Sequence, residues 1–183
     1  SNAVDLSYSS SSSSSYGATG NRSTAMGYGT TASGYAATAM GEETTASGTR
    51  STAMGFYTTA SDFASLVIGQ YNSSGSSVTN SASSFSTSNT AFVIGNGTFG
   101  SLSDAFKVMF NGDATVSNDL TVSGDVNISS DARLKSNIVS LGSTLTKLLQ
   151  IDGKSYEMKG KQKIGVLAQE IQEVFPELVS EDD

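Results

Sequence analysis

The chain has 183 residues, a net charge of -7, and no Cys, His or Trp. Thiolate nucleophiles, Cys/His zinc sites and a Ser-His-Asp triad are therefore excluded, and disulfides say nothing about compartment. Residues 1–129 contain only Arg22, Arg50 and Lys107 as cations, which argues against a nucleic-acid partner, because phosphate contacts need clustered Lys or Arg. No run is apolar enough to cross a bilayer, no signal peptide is visible, and no cofactor or metal is expected.

Residues 1–15 read as a tag remnant, Ser1-Asn2-Ala3, followed by a Ser-rich lead-in. Ser9 to Ser15 is either a disordered lead-in or a degenerate coil, since Ala18-Thr19-Gly20 sits one period before Ala32-Ser33-Gly34. Over residues 16–72 a 14-residue frame recurs. Ser23-Thr24-Ala25-Met26-Gly27 returns as Ala37-Thr38-Ala39-Met40-Gly41, as Ser51-Thr52-Ala53-Met54-Gly55, and loosely as Ser65-Leu66-Val67-Ile68-Gly69. Thr31-Ala32-Ser33-Gly34 keeps the same step at Thr45-Ala46-Ser47-Gly48 and Thr59-Ala60-Ser61-Asp62. Two short β-compatible runs and two glycines per unit predict a β-solenoid rung, with the glycines in turn conformations. Met26, Met40, Met54 and Ile68 are its predicted core positions. One such rung buries too little apolar surface to fold alone, so rungs above and below and other subunits must supply the rest, which makes an obligate homo-oligomer the expectation.

Residues 73–112 read as an irregular β connector, in which Phe92-Val93-Ile94-Gly95 echoes Leu66-Val67-Ile68-Gly69 and Ala105 to Phe110 forms a strand. A hexad follows over residues 113–129. Ala114/Val116, Leu120/Val122 and Val126/Ile128 share one face and predict a stalk in which three chains form a triangular β prism. The Asp column at 113, 119, 125 and 131 reads as turn caps in preference to a calcium site.

A boundary near Ser130 follows from composition: 11 charged residues lie before it and 16 lie in the last 54 residues. Arg133 and Lys135 bring cations into a region almost without them. Spacing alone leaves two readings open, a solvated lysine at a domain junction or a Ser130–Lys135 pair in which a neutral amine activates the hydroxyl. Beyond it, a helix carrying Leu145, Leu148 and Leu149 is predicted, capped by Ser143. Strands are predicted at Lys154 to Met158 and Lys163 to Leu167, then a helix presenting Leu167, Ile171, Val174 and Phe175 and ended by Pro176. Glu170 and Glu173 are read as the solvated face of that helix in preference to a part in the environment of a Ser130–Lys135 pair.

Ser130-Asp131-Ala132-Arg133-Leu134-Lys135-Ser136-Asn137-Ile138, with Ile164-Gly165-Val166-Leu167-Ala168-Gln169-Glu170-Ile171 and the following Gln172 to Val179, resembles the endosialidase-type intramolecular chaperone domain of phage tail spikes and related fibres. The 14-residue repeats resemble the β-roll heads of YadA-like trimeric adhesins. These resemblances imply a mainly β chain: a parallel β-roll head in a homotrimer, a triple-β-prism stalk, and a small α+β chaperone domain over residues 130–183 that continues, usually as long helices, past Asp183. They imply a structural or adhesive fibre of a virion tail or bacterial surface, extracellular, whose chaperone domain assists trimer assembly. That domain then cuts the Ser129–Ser130 bond once, with Ser130 as nucleophile and Lys135 as its base. A cell-surface glycan or protein receptor is the implied partner, met on outer positions Tyr28, Tyr35, Glu42, Glu43, Arg50, Phe56 and Tyr57. The alternative is a fibre-borne glycan-binding or glycan-degrading protein, which would need paired carboxylates in a cleft.

Overall fold

Each repeat of Thr-Ala-Met-Gly becomes a five-residue strand and each Thr-Ala pair a two-residue strand, because alternation puts one small residue inward and the β-branched threonines beside it. In the computed structural model, which describes residues 2–9, 15–123, 133, 135–140, 142, 144–158 and 160–179, these strands stack in register. The chain divides into two units, Ser1–Gly124 and Asp125–Asp183.

In the first unit the strands are β1 (Val4–Tyr8), β2 (Thr24–Tyr28), β3 (Thr31–Ala32), β4 (Thr38–Glu42), β5 (Thr45–Ala46), β6 (Thr52–Phe56), β7 (Thr59–Ala60), β8 (Leu66–Gln70), β9 (Thr90–Asn96), β10 (Asp104–Met109) and β11 (Ala114–Val116). Eight form one sheet in the order β1-β2-β4-β6-β8-β9-β10-β11, parallel as far as β9 and antiparallel beyond it. The short strands β3-β5-β7 form the facing sheet. The expected β-roll is therefore the architecture of the head. The lead-in contributes to it: Val4 pairs with Thr24, 20 positions on, where the array steps by 14.

Between the two sheets lie Ala25, Ala39, Ala53, Val67 and Val93 from one side and Ala32, Ala46 and Ala60 from the other, all fully buried. The interior of one chain is therefore built on the alanine that precedes each methionine. Within one chain the expected core positions lie on the other face of the sheet: Met26 and Met54 are 38% and 37% exposed, and Met40 and Ile68 are half-buried, because successive strand residues face opposite ways. Asp5 caps one end of the column. Its carboxyl is held below the usual carboxylate range, first by the Ser7 hydroxyl and then by backbone N–H groups.

The glycines also differ from expectation. Gly41 has φ +122°, and a Cβ there would meet the Gly55 carbonyl oxygen at 2.1 Å, so the glycine serves the close approach of one strand to the next. Gly29, at φ 59°, holds a left-handed turn as expected, but the later equivalents on that edge are Glu43, Tyr57 and Tyr71, and on the other edge Arg22, Ala36, Arg50 and Ala64, with φ between 43° and 61°. Thr30, Thr44 and Thr58 stack at the start of the short strands, fully buried, and their Oγ1 atoms lack a hydrogen-bond partner. Thr44→Val keeps the shape and removes a desolvated hydroxyl, so it is expected to stabilise the head by about 1 kcal/mol in thermal denaturation. A destabilised variant would show that the hydroxyl has a partner in the assembled protein.

Where the period stops, side chains replace the missing rung. Asn72 pairs with Thr59 as a neighbouring strand would: its Oδ1 accepts from Thr59 N at 2.8 Å and its Nδ2 donates to Thr59 O at 2.9 Å. Asn89 does the same with Ser81. Buried Asp62 accepts from Thr79 N at 2.7 Å and Thr90 N at 2.8 Å, and Asp104 accepts from Ser73 N and Ser74 N. Of the predicted hexads, the first supplies β11, which pairs antiparallel with β10 of its own chain. Leu120 to Val122 form no strand, and Val126 and Ile128 lie outside the described residues.

The second unit contains α1 (Leu145–Leu148), the antiparallel hairpin β12 (Lys154–Met158) and β13 (Lys161–Gly165), α2 (Ala168–Val174) and a 3-10 turn at Pro176–Leu178. The second strand lies two residues earlier than expected, because Gly160, at φ 72°, closes a tight turn that pairs Met158 with Lys161. The expected cap Ser143 lies outside the described residues, and Thr144 precedes α1.

Candidate functional site

The motif from Ser130 to Ile138 lies in the second unit, which begins at Asp125. Ser129 and Ser130, the expected scissile bond and nucleophile, lie outside the described residues; Lys135 is exposed. Further along, Lys154 at the start of β12 reaches both Asp152, at 2.8 Å, and Glu170 on α2, at 3.1 Å. The contact with Asp152, then that with Glu170, holds the Lys154 ammonium above its usual range, and the same contact lowers the Asp152 carboxyl. Glu170 is therefore not a freely solvated helix residue as expected. One oxygen is ion-paired, and the other, Oε2, is a buried atom without a hydrogen-bond partner. Sequence reading misses this because Lys154 and Glu170 come from different elements with no fixed spacing.

Apolar residues of this unit have few partners of their own. Phe175 is 5% exposed, under Lys147 at 5.2 Å, and is the buried hydrophobic residue among the described residues of this unit. Leu145, Leu149, Ile164 and Leu178 are each at least 66% exposed. A groove of about 300 Å³ lined by Thr144, Leu148, Phe175, Glu177 and Leu178 leaves that cluster open.

The outward face of the eight-stranded sheet carries a second feature. Leu6, Met26, Met40, Met54, Ile68, Ile94, Phe106 and Val116 pair in one register row from β1 to β11. At about 4.8 Å per strand this row runs on the order of 34 Å, an apolar band that a lone chain leaves partly in water. Its two flanks differ. At the strand starts, Arg22 stacks on Tyr35 (5.5 Å) and donates to its hydroxyl (2.6 Å), while Arg50 lies between Tyr35 (5.9 Å) and Phe63 (5.4 Å). At the strand ends, Tyr57 stacks on Tyr71 at 4.9 Å and 6°, with Phe56 edge-on to both. The Glu43 carboxylate lies over Gly29, where a Cβ would meet Oε1 at 2.5 Å. Partial desolvation, followed by the charges of Glu43, Tyr71 and Glu42, raises the Tyr57 hydroxyl above its ordinary value. Of the expected outer residues, Tyr35 and Arg50 share the first edge, and Tyr28, Glu42, Glu43, Phe56 and Tyr57 the second. Arg22, Phe63 and Tyr71 join them unexpectedly, although the 28-residue step from Arg22 to Arg50 is a readable signal.

Two segments of the chain match family models. The YadA head domain repeat matches in two copies, residues 18–41 and 32–58, and the family described as Chaperone of endosialidase matches residues 130–180. In these two segments the chain is similar to YadA-type head repeats and to an endosialidase-type chaperone. No curated protein and no solved structure matches the chain. YadA-like families are homotrimeric, and among the described residues no helix is long and apolar enough to cross a membrane. Arg22, Ala25, Met26, Ala39, Met40, Glu42 and Arg50 lie within the matched repeats, and Lys154 and Glu170 lie within the matched chaperone segment.

Proposed function

We propose that this chain is part of a homotrimeric adhesive fibre, exposed on a virion tail or bacterial surface, whose C-terminal segment guides assembly and then releases itself. The observation that carries the reading is the apolar row from Leu6 to Val116, which calls for neighbours along its whole length. Three copies that turn this face to a common axis cover Met26, Met40, Met54 and Ile68, so the methionines become the core of the trimer. The exposed leucines of the second unit call for neighbours in the same way.

In the release step the Ser130 hydroxyl oxygen attacks the Ser129 carbonyl carbon, the Lys135 amine takes the hydroxyl proton, and that proton passes to the Ser130 nitrogen as the amide bond breaks. Water then hydrolyses the resulting ester to a Ser129 carboxylate and restores the Ser130 hydroxyl. Lys135 is exposed in one chain, and packing by neighbouring copies would shield it from water. Cleavage is then tied to correct assembly and occurs once per chain. The separated fibre cannot easily refold and is kinetically stable.

The test compares the full-length protein with its Ser130→Ala variant after assembly. The parent is expected to give two bands on a denaturing gel and the variant one. A single uncut band from both removes autoproteolysis, and a monomer in native mass measurement removes the trimer.

A further inference from the structure

The two edges of the head carry opposite charge in equal number, and we propose that they are the two halves of one intersubunit contact: Arg22 and Arg50 of one copy close on Glu42 and Glu43 of the next. This rests on the trimer reading above and adds what joins the copies at their seams.

None of the four residues has an ion-pair partner within its own chain among the described residues. Arg22, Glu42 and Arg50 are exposed and Glu43 half-buried. The guanidiniums are nevertheless held in place, since Arg22 is fixed by Tyr35 and Arg50 lies between Tyr35 and Phe63. Both occupy left-handed turn positions, at φ 61° and 60°, so the backbone offers them to solvent in the same way two strands apart. Glu43, at φ 52°, does the same on the opposite edge. Ordered cations left without anions, and carboxylates left without cations, suit each other better than water in a partly covered seam.

The heights agree. Arg22 leads into β2 and Arg50 into β6, while Glu42 and Glu43 close β4, the strand that lies between those two in the sheet. Closed cyclic symmetry has no translation along its axis, so like strands of neighbouring copies stand level. The glutamate pair of one copy then stands midway between the two arginines of the next, about 4.8 Å along the axis from each, which both long side chains can span. The apolar row fixes the pairing of edges. When each copy turns it to the axis, the strand-end edge of one copy faces the strand-start edge of its neighbour, and the contact repeats three times.

Two measurements on the full chain decide the matter. In R22K/R50K, which keeps the charges, a water-soluble carbodiimide joins amines to touching carboxylates. Covalent dimers and trimers are expected on a denaturing gel, with peptides carrying the substituted positions 22 or 50 linked to peptides carrying Glu42 or Glu43. In the second, R22E/R50E and E42R/E43R are each expected to raise the trimer dissociation constant at low salt by at least about tenfold, and the two together to restore it. Trimers without those cross-links, or reversals that leave dissociation unchanged, overturn the seam and leave the trimer standing. Reversals that spare the trimer but abolish retention on a heparin column would make the arginine edge a ligand site and overturn the proposal as well. A parent protein that is monomeric fails the trimer reading instead.

Discussion

Gly41→Ala is expected to abolish cooperative folding of the head, a loss of at least about 4 kcal/mol. Two costs add at this position. The backbone holds φ +122°, which residues with a Cβ adopt only under strain, and the new carbon would lie 2.1 Å from the Gly55 carbonyl oxygen. That oxygen belongs to the ladder between β4 and β6 and cannot move aside without parting the strands. Gly112 separates the two costs, for at φ +97° it has open space around the missing Cβ, and Gly112→Ala is expected to cost about 1–2 kcal/mol. Thermal denaturation followed by circular dichroism, with limited proteolysis, reads both. A Gly41→Ala head melting within a few degrees of the parent would mean that the strands are not packed as described.

Asp62→Ala is the second large effect, expected at about 3 kcal/mol. Asp62 stands where Gly20, Gly34 and Gly48 stand in earlier repeats, and its buried carboxylate gathers Thr79 N and Thr90 N, 17 and 28 positions away. Removing it leaves two backbone donors without an acceptor, and each orphaned buried group costs roughly 1–3 kcal/mol. It also unfastens the connector from the last repeat, so protease sensitivity is expected first between Thr79 and Thr90. Asp62→Asn retains one acceptor and is expected to lose about half as much. Equal stability of the Ala and Asn variants would show that burial, and not these two bonds, accounts for the effect.

Much of this architecture is legible because repetition is a property of sequence. The 14-residue step sets the strand register from Thr24 to Leu66, and alternation marks β9, β10 and the hairpin. Which of Ala39 or Met40 faces inward is not legible, since two adjacent apolar residues allow either phase and only the width of the roll decides. Turn chemistry misleads for a similar reason. Glycine is the residue that left-handed turns ordinarily call for, and Gly29 holds one, but Arg22, Ala36, Arg50 and Ala64 hold them on one edge and Glu43, Tyr57 and Tyr71 on the other. The contacts of Asp62, Asn72, Asn89 and Asp104 have no period at all, and a side chain standing in for a strand leaves no pattern to read. The Ser130–Lys135 pair is one of two readings that spacing leaves open and the one that the resemblance implies, whereas the contact of Lys154 with Glu170 needs coordinates.

The stepwise register has an evolutionary corollary. Duplication or loss of one 14-residue segment changes the length of the head by a single strand spacing, about 4.8 Å, and leaves its cross-section intact. The length of the head can thus be adjusted in small quanta by recombination between near-identical segments. Arg22 and Arg50, however, repeat at twice that interval, so length changes in steps of 28 residues would preserve the alternation of charge along the rim, and single steps would shift it out of phase.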